Sequence, residues 1–330
     1  MEPKYKYTVC VRCFTFNQAN YIVDAMNGFT MQKTTFPFVC TIVDDASTDG
    51  EQKIISTYID KFFYLEEVNE HKEETEDYSL IFARHKENRN CYFAILYLKY
   101  NHYSIKKDKL HYITEWHERS NKYVALCEGD DYWTDPNKLQ RQVDFLNSNP
   151  SYCGIAENGI VLYTDTGKKE LFNHDNPHNV TIDELIEKRR FPTASILYRK
   201  DIEDEKFHEI KDLYDTILWC YIASKGHLHY NAIVSSVYRR GSGITCTTEP
   251  LKWATITESW SKDLHILFPQ NLCTKALKKR ITQIYIAAGN KYLRERKINV
   301  NILYCYIKAF KTSPYSFFYF ISQLVFKYIF

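Results

Sequence analysis

The sequence predicts an α/β fold in which a mostly parallel central sheet is flanked by helices and followed by a helical C-terminal extension. Three observations predict it. The first half alternates strand-length apolar runs with helix-periodic segments, acid-rich turns follow the apolar runs, and from about residue 251 the pattern is helical almost throughout. Strand, loop, helix, strand is the order a parallel sheet needs, because parallel neighbours are joined by crossovers and the crossover is usually a helix.

Residues 7–13 (YTVCVRC) form the first strand, and Asn17 opens a helix in which Ile22, Ala25, Met26 and Phe29 recur at helical spacing. A second strand is expected over 38–43. It ends in Asp44-Asp45-Ala46-Ser47-Thr48-Asp49-Gly50, a run of turn and cap formers, before a helix carrying Ile54, Ile55, Tyr58 and Ile59. Residues 66–77 (EEVNEHKEETED) read as a solvated acidic loop. A strand over 92–98 and a helix over 107–119 come next, then the strand YVALC at 123–127, bounded by Glu128-Gly129-Asp130-Asp131. Pro136 suits the first turn of a helix whose Leu139, Val143, Phe145 and Leu146 are buried, and Asn149-Pro150 stops it. Strands are expected over 154–163, 194–198 and 228–238, and helices over 182–189 and 212–224, with no internal repeat or low-complexity tract.

The 330 residues are enough for about two domains. With 45% hydrophobic and 25% charged residues and a mean hydropathy of -0.44, the chain is of globular type without several membrane spans. Its 43 Lys and Arg against 41 Asp and Glu leave no global basic field, so no nucleic-acid partner is expected. The chain is heavy in aromatics, with 27 Tyr, 20 Phe and 5 Trp, and poor in glycine, with 10. The ten Cys show no pairing framework, and the start MEPKYKYTVC lacks the apolar core of a signal peptide, so a reducing cytoplasm is the expected location. Cys10 and Cys13 form a CxxC inside a strand, which fits buried thiols better than a redox pair opening a helix.

In an open α/β sheet, ligands collect beyond the carboxyl ends of the strands. Three polar segments stand there: Thr15-Phe16-Asn17, Asp44-Asp45 and Glu128-Gly129-Asp130-Asp131. Clustered carboxylates offer the hard oxygen ligands that suit Mg²⁺ or Mn²⁺, ions that share coordination with phosphates. The same two Asp also suit a cap on the turn before the Pro136 helix, and the residues alone leave both readings open. No glycine-rich phosphate loop is present, so metal would replace backbone cradling.

The runs VCVRCFTFNQANYI, FVCTIVDDASTDG and YVALCEGDDYWTDPNKLQRQVDFL, in that order and spacing, resemble the family 2 glycosyltransferases of GT-A fold, in particular bacterial enzymes of surface polysaccharide assembly. The resemblance covers about residues 5–245, and CEGDDYWTDP is its most specific part. It implies an inverting, metal-dependent transfer from a nucleotide-sugar donor, a UDP-sugar above all, to a saccharide or lipid-linked acceptor. Residues 1–150 would bind the donor, 151–245 the acceptor, and 246–330 would form a helical extension. Thr15, Phe16 and Asn17 would line the nucleotide pocket, Asp45 with Asp44 would accept from the base, and Asp130 and Asp131 would serve ribose and metal, with Glu128 where relatives carry a first Asp. The stretch LYDTILWCYIASKGHLHYNAIVSSVYRRGSGIT resembles the family's closing segment and puts Asp215 at the position of the base, with Asp212 as rival. After the last strand, Arg239 and Arg240 with Gly241-Ser242-Gly243 are expected as a flexible basic loop over the diphosphate. Arg84, Lys86, Asn88 and Arg89 fall where relatives contact the donor sugar.

Two other functions fit parts of the pattern. A sugar-phosphate nucleotidyltransferase would share the core and a metal, but it normally shows a glycine-rich loop that Cys13-Phe14-Thr15-Phe16-Asn17 lacks; a catalytically silent membrane-associated scaffold has no use for Asp130, Asp131 and Asp215. The tail PYSFFYFISQLVFKYIF at 314–330 is apolar and aromatic but short for a span. It suits an interfacial helix at the inner face of the cell membrane, or a terminal helix docked on the core.

Overall fold

The computed structural model describes residues 7–64, 72–107, 109, 111–113, 120–175, 178–208, 215–241, 248–267, 274–297 and 299–329. The chain divides into two compact units. The first comprises Met1–Asn179, Phe191–Ile202 and Gly226–Ser242, and the second comprises Val180–Arg190, Glu203–Lys225 and Gly243–Phe330.

The first unit is built on one mixed sheet. Its strands are β1 (Tyr7–Thr15), β2 (Phe38–Asp44), β3 (Phe63–Tyr64), β4 (Lys72–Glu74), β5 (Tyr78–His85), β6 (Cys91–Leu98), β7 (Ser120–Leu126), β8 (Tyr132–Trp133), β9 (Tyr152–Tyr163), β10 (Lys169–Leu171), β11 (Leu197–Arg199) and β12 (His227–Arg240). They run in the order β3-β5-β6-β2-β1-β7-β11-β9-β12-β8, with β4 on β5 and β10 on β9. The centre, β6-β2-β1-β7, is parallel; β5 and β11 continue it antiparallel on either side. Every residue of β2 is buried, as a strand covered on both faces requires.

Alternation along the strands feeds two cores. Val9, Val11 and Cys13 of β1 and Phe38, Cys40 and Ile42 of β2 point to one face, where they meet α1 (Ile22–Thr30), α2 (Glu51–Phe62) and α3 (Lys138–Ser148). Cys10, Val39 and Val43 point to the other and meet Leu80, Phe82, Tyr112 and Ile113. Gly28 lets α1 lie against β8, since a Cβ there would stand 2.8 Å from the Trp133 backbone nitrogen. The eight described cysteines are buried thiols, Cys10 and Cys13 among them.

The second unit is helical: α4 (Ile182–Glu187), α5 (Glu205–His208), α6 (Asp215–Lys225), α7 (Pro250–Leu267), α8 (Thr274–Arg294), α9 (Val300–Thr312) and α10 (Pro314–Ile329). A capping box between Thr181 and Glu184 starts α4. Ile284, Tyr285, Ala288 and Tyr292 of α8 form the spine on which Cys305 and Ala309 of α9 and Phe317, Phe320, Ile321 and Leu324 of α10 pack.

Three expectations are corrected, and a fourth is described only in part. Part of the segment 66–77 expected as a solvated loop is strand β4, paired with β5, and β5 itself lies where no element is expected, because its burial follows no simple alternation. The strand expected over 194–198 begins only at Leu197; residues 193–195 form a 3₁₀ turn held by Ser195 Oγ donating to the Pro192 carbonyl at 2.8 Å. Of the helix expected over 107–119, helical backbone is seen at 111–113, and residues 108, 110 and 114–119 lie outside the described residues. Arg239 and Arg240 are the last two residues of β12, paired with Leu162 and Tyr163 of β9, and not a loop after it.

Candidate functional site

Sheet register brings the three polar motifs to one line. Thr15 stands opposite Asp44 in the β1–β2 ladder, and the Asp45 N–H donates to the Thr15 carbonyl at 3.0 Å. On the other side of β1, Cys127 N donates to Arg12 O and Gly129 N to Phe14 O, each at 3.1 Å, which carries the β1–β7 register past the strand end into Glu128-Gly129-Asp130-Asp131. The contact is so close that a Cβ on Gly129 would lie 2.4 Å from Thr15 Oγ1 and 2.5 Å from Gln18 Oε1.

A residue not anticipated from sequence, Glu51, joins the first two of these loops. Fully buried at the start of α2, it accepts from the Thr15 hydroxyl, from Gln18 N at 2.8 Å and from Ser47 Oγ at 2.8 Å. Burial pushes its carboxyl above the ordinary value against the pull of those donors. Asp49 adds two contacts, accepting from Ala19 N at 2.9 Å and from Glu51 N at 3.1 Å. Asn17 and Ser47 exchange support too: Asn17 N donates to Ser47 Oγ and Thr48 N to Asn17 Oδ1, both at 2.8 Å. Asn17 at φ 53° and Ala46 at φ 60° hold the left-handed conformation that non-glycine residues adopt at a cost, and both lie in these loops. The only signal for Glu51 in the sequence was its place directly after the cap cluster.

Asp44 and Asp45 have different surroundings. Asp45 is saturated: it accepts from His102 N at 2.7 Å, Tyr103 N at 3.1 Å and Lys109 Nζ at 2.8 Å. His102 is itself fixed, with Nδ1 donating to the Tyr100 carbonyl at 2.8 Å and Nε2 accepting from Tyr112 at 2.9 Å. Asp44 accepts with Oδ1 from Ser47 N at 3.1 Å and Gln52 Nε2 at 2.5 Å, while its buried Oδ2 has no hydrogen-bond partner among the described residues. Burial pushes the Asp44 carboxyl upward. Beside them, the Phe16 ring is 43% exposed and available for stacking.

At the third motif, Asp131 Oδ1 accepts from Arg239 N at 2.8 Å, and Arg239 Nη1 donates to the Asp130 carbonyl at 2.8 Å. The Arg239 guanidinium also pairs with Asp24 of α1 and lies over the rings of Tyr21 (4.8 Å) and Tyr132 (4.5 Å). It is a buried clamp on the Asp130-Asp131 turn. Arg240 is exposed and donates to the Tyr163 hydroxyl at 3.0 Å. The carboxylates crowd the end of β1 closely enough that Glu128, Glu51 and Asp130, after burial itself, push the Cys13 thiol well above its ordinary value.

The 84–89 segment does not join this edge. Cys91 starts β6 opposite Phe38 at the start of β2, so the turn before it lies at the amino end of the parallel strands. It stands about 20 Å from Asp44 by strand length. There Asn88 Nδ2 donates to the Thr30 and Gln32 carbonyls at 2.9 and 2.7 Å.

In the second unit, Asp215 is the first residue of α6, half-exposed, and its Oδ2 accepts from Arg189 Nη2 at 3.1 Å. Asp212 lies outside the described residues. Among the described residues no group of three or more His, Cys, Asp or Glu could by itself hold a metal ion. A hard ion sharing substrate phosphates needs only one or two protein carboxylates, and Asp130 and Asp131 meet that smaller requirement.

No protein-family model matches the chain. Over 187 residues it is 30% identical to the uncharacterised protein Rv1520 of Mycobacterium tuberculosis, and to the uncharacterised protein Mb1547 of Mycobacterium bovis, covering 56% of this chain and 45% of each relative. The chain thus spans about half the length of the curated relatives it matches. Among solved structures it is similar to S. aureus TarS 1–349 in complex with UDP, with a TM-score of 0.57 at 13% identity, covering 92% of this chain and 79% of that one. A second structure of TarS 1–349 gives a TM-score of 0.50, again at 13% identity, over 92% and 91% of the two chains. The chain shares the fold of TarS 1–349, an α/β architecture with a large central sheet flanked by helices, which is the class the sequence predicts.

Proposed function

We propose that the protein is an inverting glycosyltransferase that moves a sugar from a nucleotide-sugar donor, preferentially a UDP-sugar, to a saccharide or lipid-linked acceptor of surface polysaccharide assembly. The observation that carries this reading is the convergence of three polar loops, two of them acid-bearing, on the carboxyl edge of a parallel sheet, in a fold shared with a UDP-bound protein. Residues 1–150 bind the donor, and 151–245 the acceptor. Phe16 stacks on the base, Thr15 and Asn17 shape the pocket floor, and the unpartnered Asp44 Oδ2 accepts from a base N–H. Asp45 reaches the base only if Lys109 yields its place, so its first task is to order the 101–109 loop.

A diphosphate entering this acidic edge is repelled unless its charge is neutralised. Asp131, with Asp130, would hold Mn²⁺ or Mg²⁺, and that ion supplies leaving-group stabilisation when bound. Arg239 keeps the turn in register by holding the Asp130 carbonyl, and the exposed Arg240 adds positive charge at the same end of β12. Asp215 takes the proton from the acceptor hydroxyl as its oxygen attacks the anomeric carbon. The bond from that carbon to the diphosphate oxygen breaks, the nucleoside diphosphate leaves, and a single displacement inverts the centre. Arg189 must share or release Asp215 as the acceptor arrives.

The test combines thermal shift with a transfer assay. UDP-sugars with Mn²⁺, screened beside GDP- and dTDP-sugars, should raise the melting temperature, by the equivalent of about 2.7 kcal/mol at a hundredfold excess over Kd. Asp215→Asn should keep that shift and lose roughly 10²- to 10⁴-fold in transfer rate, the usual contribution of a general base. Absence of a shift with every nucleotide sugar sinks the donor site; wild-type transfer by Asp215→Asn sinks the base.

A further inference from the structure

Helix α9 is apolar on two opposite faces, only one of which has a partner among the described residues. Cys305 and Ala309 are buried against α8, with Ile302 and Tyr306 beside them. On the other side Val300 is 82% exposed and Leu303 65%, and Tyr304, Ile307 and Phe310 are exposed as well. At about 100° per residue these five fall within an arc of roughly 120°, and Lys311 falls inside it. The ridge continues onto α10, where Tyr315 is 80% and Phe318 63% exposed with Tyr319 next to them. Phe310 joins the two helices, its ring meeting those of Phe317 at 5.6 Å and Phe318 at 5.9 Å. So large a contiguous apolar patch marks an interaction surface.

Charge says what covers it. Residues 274–330 carry eleven Lys and Arg and one acid, Glu295, whereas the preceding 273 residues carry 32 Lys and Arg against 40 Asp and Glu. The near-neutral total conceals a basic segment joined to an acidic body. Within the basic segment, a groove of about 800 Å³ is lined by Ile286, Ala287, Phe320 and Leu324 together with Lys291 and Arg294, which pairs apolar walls with cations. Aromatic and aliphatic side chains interleaved with lysines, with no acid on either helix, match the headgroup boundary of an anionic bilayer. A second copy of the chain would bring like charges together. Among the described residues no helix is long and apolar enough to cross a membrane, and the 16 residues of α10 reach only about 24 Å against the roughly 30 Å needed.

We propose that the exposed ridge of α9 and α10 docks in the plane of an anionic lipid bilayer. The surface enlarges the tail expected from sequence: α9 supplies half of it, and Phe317, Phe320, Ile321 and Leu324 of α10 belong to the core. The proposal stands apart from the glycosyl-transfer reading, because binding is measured without any sugar.

Floatation of the full chain with phosphatidylglycerol and with phosphatidylcholine vesicles tests it. The wild type should float with the anionic vesicles, at least tenfold better than with the neutral ones, and 0.5 M NaCl should weaken the binding. Leu303→Gln with Ile307→Gln should lose at least tenfold at an unchanged melting temperature, and Lys311→Gln roughly fivefold. Phe318→Ser serves if the double variant melts lower, and it should likewise lose binding. Equal floatation with both lipids, no floatation at all, or undiminished binding by the ridge variants overturns the proposal. So does a wild-type dimer in analytical ultracentrifugation that the ridge substitutions turn into monomer, since a second copy would then own the face.

Discussion

Asp44 and Asp45 are adjacent in sequence, and their opposite surroundings predict opposite outcomes. Asp45→Ala would orphan two backbone N–H groups and Lys109, so a loss of about 2–3 kcal/mol in unfolding free energy is expected by urea denaturation. Asp44→Asn keeps an oxygen for Ser47 and Gln52 and removes a buried charge whose second oxygen has no partner. That variant should melt no lower than wild type and yet lose the UDP-induced shift. Lys138 makes stability depend on pH in the alkaline range. It is fully buried, donates to Gln142 Oε1 at 2.8 Å and lies 4.4 Å from the Trp133 ring centroid. Burial lowers its pKa from 10.5 to about 8. The unfolded chain therefore binds the extra proton between about 8 and 10.5, so this site's stability is complete above 10.5 and lost as pH falls toward 8. Lys138→Met removes that slope. Its stability relative to wild type should fall, on the order of 3 kcal/mol, between pH 8 and 10.5; parallel pH–stability curves for the two proteins would refute it.

At the scale of elements, the site depends on how closely the ends of β1 and β7 approach. Gly129→Ala forces a methyl group onto Thr15 Oγ1 and Gln18 Oε1 and should cost about 1–3 kcal/mol. The same substitution at the exposed Gly167 should also destabilise, because φ is 70° there, but it should leave UDP binding intact because nothing lies within 4 Å. Asp131 separates fold from chemistry in the same motif. Asp131→Asn retains an acceptor for the Arg239 N–H and should change stability by under about 0.5 kcal/mol while abolishing turnover. Asp131→Ala loses that bond and should cost about 1 kcal/mol more. Such elements were legible to different degrees. Apolar runs revealed β1, β2, β6 and β7 because parallel central strands are buried on both faces, whereas β5, with its irregular burial at the sheet's flank, left no pattern to read.

At the scale of the whole molecule, the net charge of +2 is an average over an acidic body and a basic helical segment, and only their separation has physical consequences. The sequence by itself determined the α/β class, the strand-end motifs and the helical extension, because these follow from periodicity, turn chemistry and the order of three local segments. Local pattern could not say which of two neighbouring carboxylates is already satisfied, that Glu51 locks two loops together, or that Arg239 is a buried clamp and not a mobile finger. Nor could it say that Asn88 stands at the far end of the strands from Asp44. Each of those depends on partners distant in sequence: Lys109 for Asp45, Thr15 for Glu51, Asp24 and Asp130 for Arg239. The tail shows the same division. Its composition called for an apolar partner, but only packing could divide α10 into a face that meets α8 and a face that meets none of the described residues, since a helix made apolar all round does not encode which side turns inward.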